Sequence, residues 1–398
     1  MDSKQKFHSN KTSIRELVNQ RRRGKNVCFP ILAIDALLEP FNISLFNERK
    51  DQYYSYLDVR SNPEKQIEVN EWIHNKISDV ADIQILSPFM DLTELAQAIA
   101  NVNQFGNVTQ FSSTGAMDIK PFLIQEDIDK NSLEFPDPQR DFILSRNGKF
   151  SRLKKNSSIL KKKILMGYVP GPLTLINQLI GPAAIMLFAK TSKSEVNKSM
   201  QNLLSKWIDY AIKAINVFID YLIEEGYEII CILEPHAMNI ESIHFSKFLV
   251  KPMNQLIKNI KDQNKSVIFH ACGDTTKLFK PFARLEGLDA FNLDEDVSLE
   301  YFAKVLSKRL MKLPIIIGNY NNKNMFLEKS GILFQNTILM QLSHWPLEKE
   351  ISYIPGTGCE ITLLDVNPNK AVGKLKSFLK GCDPKIMGDL IRYIHEHY

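Results

Sequence analysis

The sequence predicts an α/β chain folded as one (β/α)8 barrel. Three observations lead there. Short apolar, β-branched runs alternate with longer amphipathic stretches from the middle of the chain onward. Such alternation implies parallel strands joined by helical crossovers. About eight strand–helix units fit within the 398 residues, and eight units favour a closed barrel over an open sheet. The composition, 44% hydrophobic and 24% charged, is that of a folded globular chain and excludes disordered and collagen-like classes.

The elements follow in chain order. Residues 1–26 are polar and read as an N-terminal extension, without the apolar centre of a signal peptide. Residues 27–398 read as a single barrel domain. Strands at 27–34, 82–86 and 163–169 come first. Between the last two, 105–163 is rich in turn formers and reads as an irregular excursion over the barrel mouth. A long helix at 195–224 carries Leu204, Trp207, Ile208, Ala211, Ile215, Phe218, Ile219 and Leu222 at helical spacing. Strands at 228–233, 266–270, 289–293, 313–318 and 351–355 then alternate with helices at 245–261, 275–283, 299–308, 323–342 and 369–379.

Charge and cysteine usage narrow the function. The formal net charge of +5 is mild and spread along the chain, so no nucleic-acid partner is expected. Two basic clusters, Arg21–Arg23 with Lys25 and Arg152 to Lys163, read as solvated faces or as docking patches for an acidic partner. No run of eighteen uncharged apolar residues exists, so no membrane span is expected. Five cysteines, an odd count with no framework spacing, fit a cytoplasmic, reducing compartment.

In a (β/α)8 barrel the chemistry lies at the C-terminal ends of the strands. The run K-S-V-I-F-H-A-C-G at 265–273 is such an end. Side chains alternate along a strand, so Ser266, Ile268, His270 and Cys272 share a face. With Val267 and Phe269 toward the helices, His270 and Cys272 face the interior at the mouth. An imidazole nitrogen and a sulfur two residues apart can converge on one zinc ion; a buried cysteine and a hydrogen-bonded core histidine are the plainer reading. Cys359, in the Gly-rich turn P-G-T-G-C-E-I after the last strand, is a third candidate ligand, since all strand tops face one mouth. Glu234, which follows strand 228–233, is a possible fourth ligand or a catalytic carboxylate, or else a structural one; His236 is a further candidate. Asp91, after strand 82–86, lines the mouth or caps the next helix. The run V-P-G-P-L-T at 169–174 fixes a loop through which backbone can approach a ligand.

On these residues the chain resembles the uroporphyrinogen decarboxylase superfamily, from about Val27 onward. The marks are F-M-D-L at 89–92, V-P-G-P-L-T at 169–174, E-P-H-A at 234–237, F-H-A-C-G at 269–273, I-G-N-Y at 317–320 and P-G-T-G-C-E-I at 355–361. The resemblance implies a (β/α)8 barrel of the uroporphyrinogen decarboxylase type. Two branches exist. The decarboxylases carry an Arg-Gln-Ala-Gly-Arg signature that this chain lacks; its nearest region reads C-F-P-I-L-A-I-D-A-L-L at 28–38. The other branch comprises zinc-dependent methyltransferases that move a methyl group from a corrinoid protein to a thiol such as coenzyme M. Their His-x-Cys and distant Cys ligands match His270, Cys272 and Cys359.

That branch implies zinc as the cofactor and a small thiol as the acceptor. A free thiol with a pKa near 8.5 is a poor nucleophile at neutral pH, and zinc binding removes its proton. The chain has no Asp-x-His-x-x-Gly cobalamin motif, so methylcobalamin would arrive on a separate corrinoid carrier protein. The expected activity is therefore corrinoid-to-thiol methyl transfer. Uroporphyrinogen decarboxylation, supported by Asp91, is the alternative. A barrel that binds a partner or a corrinoid without turnover is the third reading.

Overall fold

The computed structural model describes residues 14–23, 25, 41–42, 44–45, 53–55, 58–59, 62–80, 82, 85–86, 92–104, 109–111, 117–119, 133–141, 163–181, 184–185, 198–310, 313–320, 353–358 and 368–383. Its centre is a seven-stranded sheet in which every pairing is parallel. The strands are β1 (Ile85–Leu86), β4 (Ile164–Pro170), β5 (Ile229–Leu233), β6 (Ser266–Ala271), β7 (Ala290–Leu293), β8 (Ile315–Ile317) and β9 (Tyr353–Ile354). They neighbour one another in chain order, the order that a (β/α)8 barrel requires. Seven of the eight predicted strands are thus present; the eighth, at 27–34, lies outside the described residues, as does the predicted helix at 323–342.

The sheet has two apolar faces because the strands are buried on both sides. One face is Ile164, Met166, Ile229, Cys231, Ile268, Ala290, Ile315, Ile317 and Ile354, packed as the barrel interior. The alternate residues, Leu165, Val169, Ile230, Ile232, Val267, Phe269, Phe291 and Ile316, pack outward against the helices. The predicted parity of β6 therefore holds: Ile268 points inward while Val267 and Phe269 point to the helical shell.

The helices include α1 (Ile14–Arg22), α2 (Pro63–Ile77), α3 (Glu94–Val102), α4 (Pro172–Ile180), α5 (Lys198–Glu224), α6 (Val250–Asp262), α7 (Leu299–Ser307) and α8 (Pro368–Gly381), all but α1 lying outside the sheet. Helix α6 shows why these segments dock. Met253, Leu256, Ile257 and Ile260 recur at helical spacing, and all four are fully buried. Asn62 starts α2 by accepting hydrogen bonds from the amides of Glu64 and Lys65. Helix α2 packs its Val69, Ile73 and Ile77 with Leu375, Phe378 and Leu379 of α8. Segments near the two ends of the chain thus meet, as closure of the ring demands. The predicted helix at 245–261 begins earlier, as a short turn at Ser242–His244, a π-helical stretch at Phe245–Leu249, and then α6.

The polar N-terminal stretch holds a structural element. Ile14, Leu17 and Val18 of α1 belong to the interior cluster of the barrel. The Ile14 amide also donates to Ser266 Oγ at the start of β6. So α1 plugs the end of the barrel opposite the mouth. Within the irregular 105–163 region, Thr109–Phe111 and Met117–Ile119 form an antiparallel ribbon, β2–β3, separate from the main sheet. Farther on, Phe135 stacks on Tyr210 of α5 at 4.8 Å. Among the described residues no helix is long and apolar enough to cross a membrane.

Candidate metal and catalytic site

Register places the polar residues together. Leu233, His270, Asn292, Ile317 and Ile354 are successive partners across β5 to β9. They form one inward layer at the C-terminal ends of the strands. His270 and Asn292 are its polar members, and both are almost wholly buried.

The histidine ring is held on both sides. Its Nδ1 lies 2.6 Å from Asn292 Oδ1, and its Nε2 lies 2.9 Å from Cys272 Sγ. Asn292 Nδ2 donates to the carbonyls of Ile317 and Thr357, each at 3.1 Å. Asn292 thus links β7 to β8 and to the turn two residues before Cys359. Past Cys272 the chain turns at Gly273, with φ +68. A Cβ there would stand 2.4 Å from Met238 Sδ, so Met238 closes over this turn.

Glu234 follows β5 and is fully buried. Its Oε2 accepts from the Leu173 amide at 3.0 Å, and its Oε1 accepts from the Thr174 amide at 2.8 Å and from the Thr174 hydroxyl. The carboxylate therefore sits on the N-terminus of α4, where free amides and the helix dipole favour negative charge. Burial nevertheless pushes its pKa up to about 7, against the pull of those three hydrogen bonds. The backbone fixes its place as well: the Glu234 amide donates to the His270 carbonyl at 2.9 Å. His236, in the 3-10 turn Pro235–Asn239, has Nε2 3.0 Å from Asn177 Nδ2 of α4; burial lowers its pKa.

The sequence-predicted ligands can now be placed. His270 and Cys272 converge at the mouth. Glu234 stands one strand away with both oxygens turned to α4. Asp91 and Cys359 lie outside the described residues. Among the described residues no group of three His, Cys, Asp or Glu side chains gathers closely enough to hold a metal ion. The pair that does converge suits zinc in its donor chemistry. Zinc ligands at about 2.1 and 2.3 Å in a tetrahedral set stand about 3.6 Å apart, so the His270–Cys272 separation needs to open by about 0.7 Å to admit the ion.

Two residues that hold the candidate site together escaped the sequence reading. Asn292 was legible in principle, because the parity rule that turned His270 inward also turns Asn292 inward, two residues past Ala290. Thr174 was read only as part of a turn; its amide and hydroxyl contacts to Glu234 depend on the juxtaposition of β4 and β5, which no local signal carries.

A parallel barrel with a His–Cys pair and a buried carboxylate at its strand tops is the architecture of a (β/α)8 protein whose site sits at the mouth. Comparison with known proteins gives the family. The sequence profile described as Uroporphyrinogen decarboxylase (URO-D) matches residues 46–372, and the chain belongs to this family. Uroporphyrinogen decarboxylases of Orientia tsutsugamushi, strains Boryong and Ikeda, are each 22% identical over 207 and 205 residues. Each match covers 48% of this chain and 56% of the relative, so the chain spans about half the length of the curated relatives it matches. Among solved structures, a methyltransferase from Methanosarcina mazei superposes with a TM-score of 0.66 at 16% identity, over 93% of this chain and 97% of that one. That likeness is one of fold.

Proposed function

We propose that this chain is a zinc-dependent methyltransferase that moves a methyl group from a separate corrinoid carrier protein to a small thiol. The observation that carries the proposal is the convergence of His270 Nε2 and Cys272 Sγ at the barrel mouth. The fold shared with the Methanosarcina mazei methyltransferase supports it. His270, Cys272 and Cys359 would hold the zinc, with Glu234 as a conditional fourth donor. A carboxylate offers about four lone-pair sites, and Glu234 uses three. When bound, zinc would supply a Lewis acid that lets a thiol lose its proton near neutral pH.

The residues themselves supply position. Asn292 holds the His270 ring so that Nε2 faces Cys272. Glu234, anchored by Thr174 and Leu173, fixes the end of β5 against α4 beside the His strand. Met238 packs on Gly273, the residue after Cys272. Asp91 would line the same pocket. The test is methyl transfer from a methylated corrinoid protein to a panel of thiols. Cys272→Ala should abolish both zinc binding and transfer; full activity in that variant would contradict the proposal.

Uroporphyrinogen decarboxylation is the second reading, favoured by the name that the curated relatives carry. It predicts carbon dioxide release from uroporphyrinogen by metal-free protein. No release at high protein concentration would remove it.

A further inference from the structure

We propose that Asn292 is the positioning residue of this site. It holds His270 in the Nδ1–H tautomer, with the Nε2 lone pair turned to Cys272, before any metal arrives.

The assignment follows from donors and acceptors. Asn292 Nδ2 faces two carbonyl oxygens, those of Ile317 and Thr357, both at 3.1 Å. Reversing the amide would set Oδ1 against two acceptors, so the orientation is fixed. Oδ1 therefore faces His270 Nδ1 at 2.6 Å and can only accept. Nδ1 must carry the proton. In the neutral ring Nε2 then has none, and it points at Cys272 Sγ, 2.9 Å away. The amide uses both protons and its oxygen, and it is 2% exposed, so water does not compete for the ring.

The same side chain spans separate strands. Its oxygen serves β6, its backbone belongs to β7, and its two protons go to Ile317 of β8 and to Thr357 after β9. Removing it therefore frees the ring and also loosens the strand tops around the pair. Partners of this kind behind a metal-binding histidine are worth about 10–100-fold in metal affinity.

The affinity arm of the test rests on the zinc reading; the tautomer arm does not. The experiment uses full-length protein labelled with 15N at histidine, with and without chelation, and records long-range proton–nitrogen spectra. His270→Gln assigns the ring signals. Wild type is expected to show a protonated Nδ1 and a bare Nε2 in the chelated protein. Asn292→Leu should lose that signature and bind zinc about 10–100-fold more weakly. Thermal unfolding of Asn292→Leu reports whether that variant folds, and the wild-type spectrum tests the tautomer even if it does not. A protonated Nε2 in wild type, or an unchanged ring in Asn292→Leu, would overturn the proposal. The expected tautomer in a protein that binds no zinc would support the role of Asn292 and overturn only the metal reading.

Discussion

Gly171 and Glu234 are packed so closely that no side chain can stand between them. A Cβ on Gly171 would lie 2.2 Å from Glu234 Oε2 and 3.1 Å from Glu234 Cβ. The carboxylate cannot swing aside, because the Leu173 and Thr174 amides and the Thr174 hydroxyl hold it. Gly171→Ala should therefore destabilise the protein by about 1–3 kcal/mol, the usual cost of overpacking. Shortening Glu234 to Ala in the same chain should relieve part of that clash. Thermal unfolding of the two single variants and the double variant checks this: the two effects should add to less than their sum.

The helix that plugs the far end of the barrel should matter as much as a core strand. Leu17 is 1% exposed within the interior cluster. Leu17→Ala should cost about 2–5 kcal/mol. Arg15, exposed on the same helix, should tolerate Ala within about 0.5 kcal/mol. Equal effects in denaturant unfolding would mean that α1 does not seal the barrel.

At that same end, Asp289 Oδ2 accepts from the Val267 amide at 2.9 Å and from Lys261 Nζ at 2.6 Å. Asp289→Ala strands a buried amide and should cost about 1–3 kcal/mol. Lys261→Met removes only a partly exposed partner and should cost less. Neither variant should alter zinc binding, because Asp289, just before β7, and Lys261, in the last turn of α6, both lie away from the mouth. Paired unfolding and zinc titrations measure the two effects separately.

Two inward cysteines should behave differently. Cys231, a register step below the mouth beside Ile268, is fully buried, and burial pushes its thiol far above the ordinary range. Cys272 is only partly buried. An alkylating reagent should modify Cys272 and leave Cys231 untouched in folded protein. Zinc should slow the reaction at Cys272. Mass-spectrometric mapping reads both sites; rapid labelling of Cys231 would place that thiol in a more open setting.

These contacts separate what was legible in the sequence from what was not. The β-branched runs marked eight strands, seven of which are seen among the described residues, and alternation turned His270 inward because a strand buried on both faces obeys period two. The plug was hidden: Ile14, Leu17 and Val18 have helical spacing, but the charged residues around them made the stretch read as a polar extension. Composition averages over a helix whose single apolar face is all that the barrel needs. Glu234 was found as a carboxylate at a strand end, yet its engagement with α4 was not legible, because it depends on the approach of Gly171 across strands. Asn292 was missed because asparagine announces no chemistry by itself; its three partners lie on β6, on β8 and in the turn after β9.

The most direct test of the account is the metal content of protein purified without chelator, for wild type, Cys272→Ala and Cys359→Ala. About one zinc per chain in wild type, lost in both variants, is the predicted result, matching a site with three protein ligands. A wild type that takes up no zinc even on reconstitution, or a Cys359→Ala variant that keeps it fully, would contradict the account. The His270–Cys272 pair would then be a hydrogen bond of the barrel core.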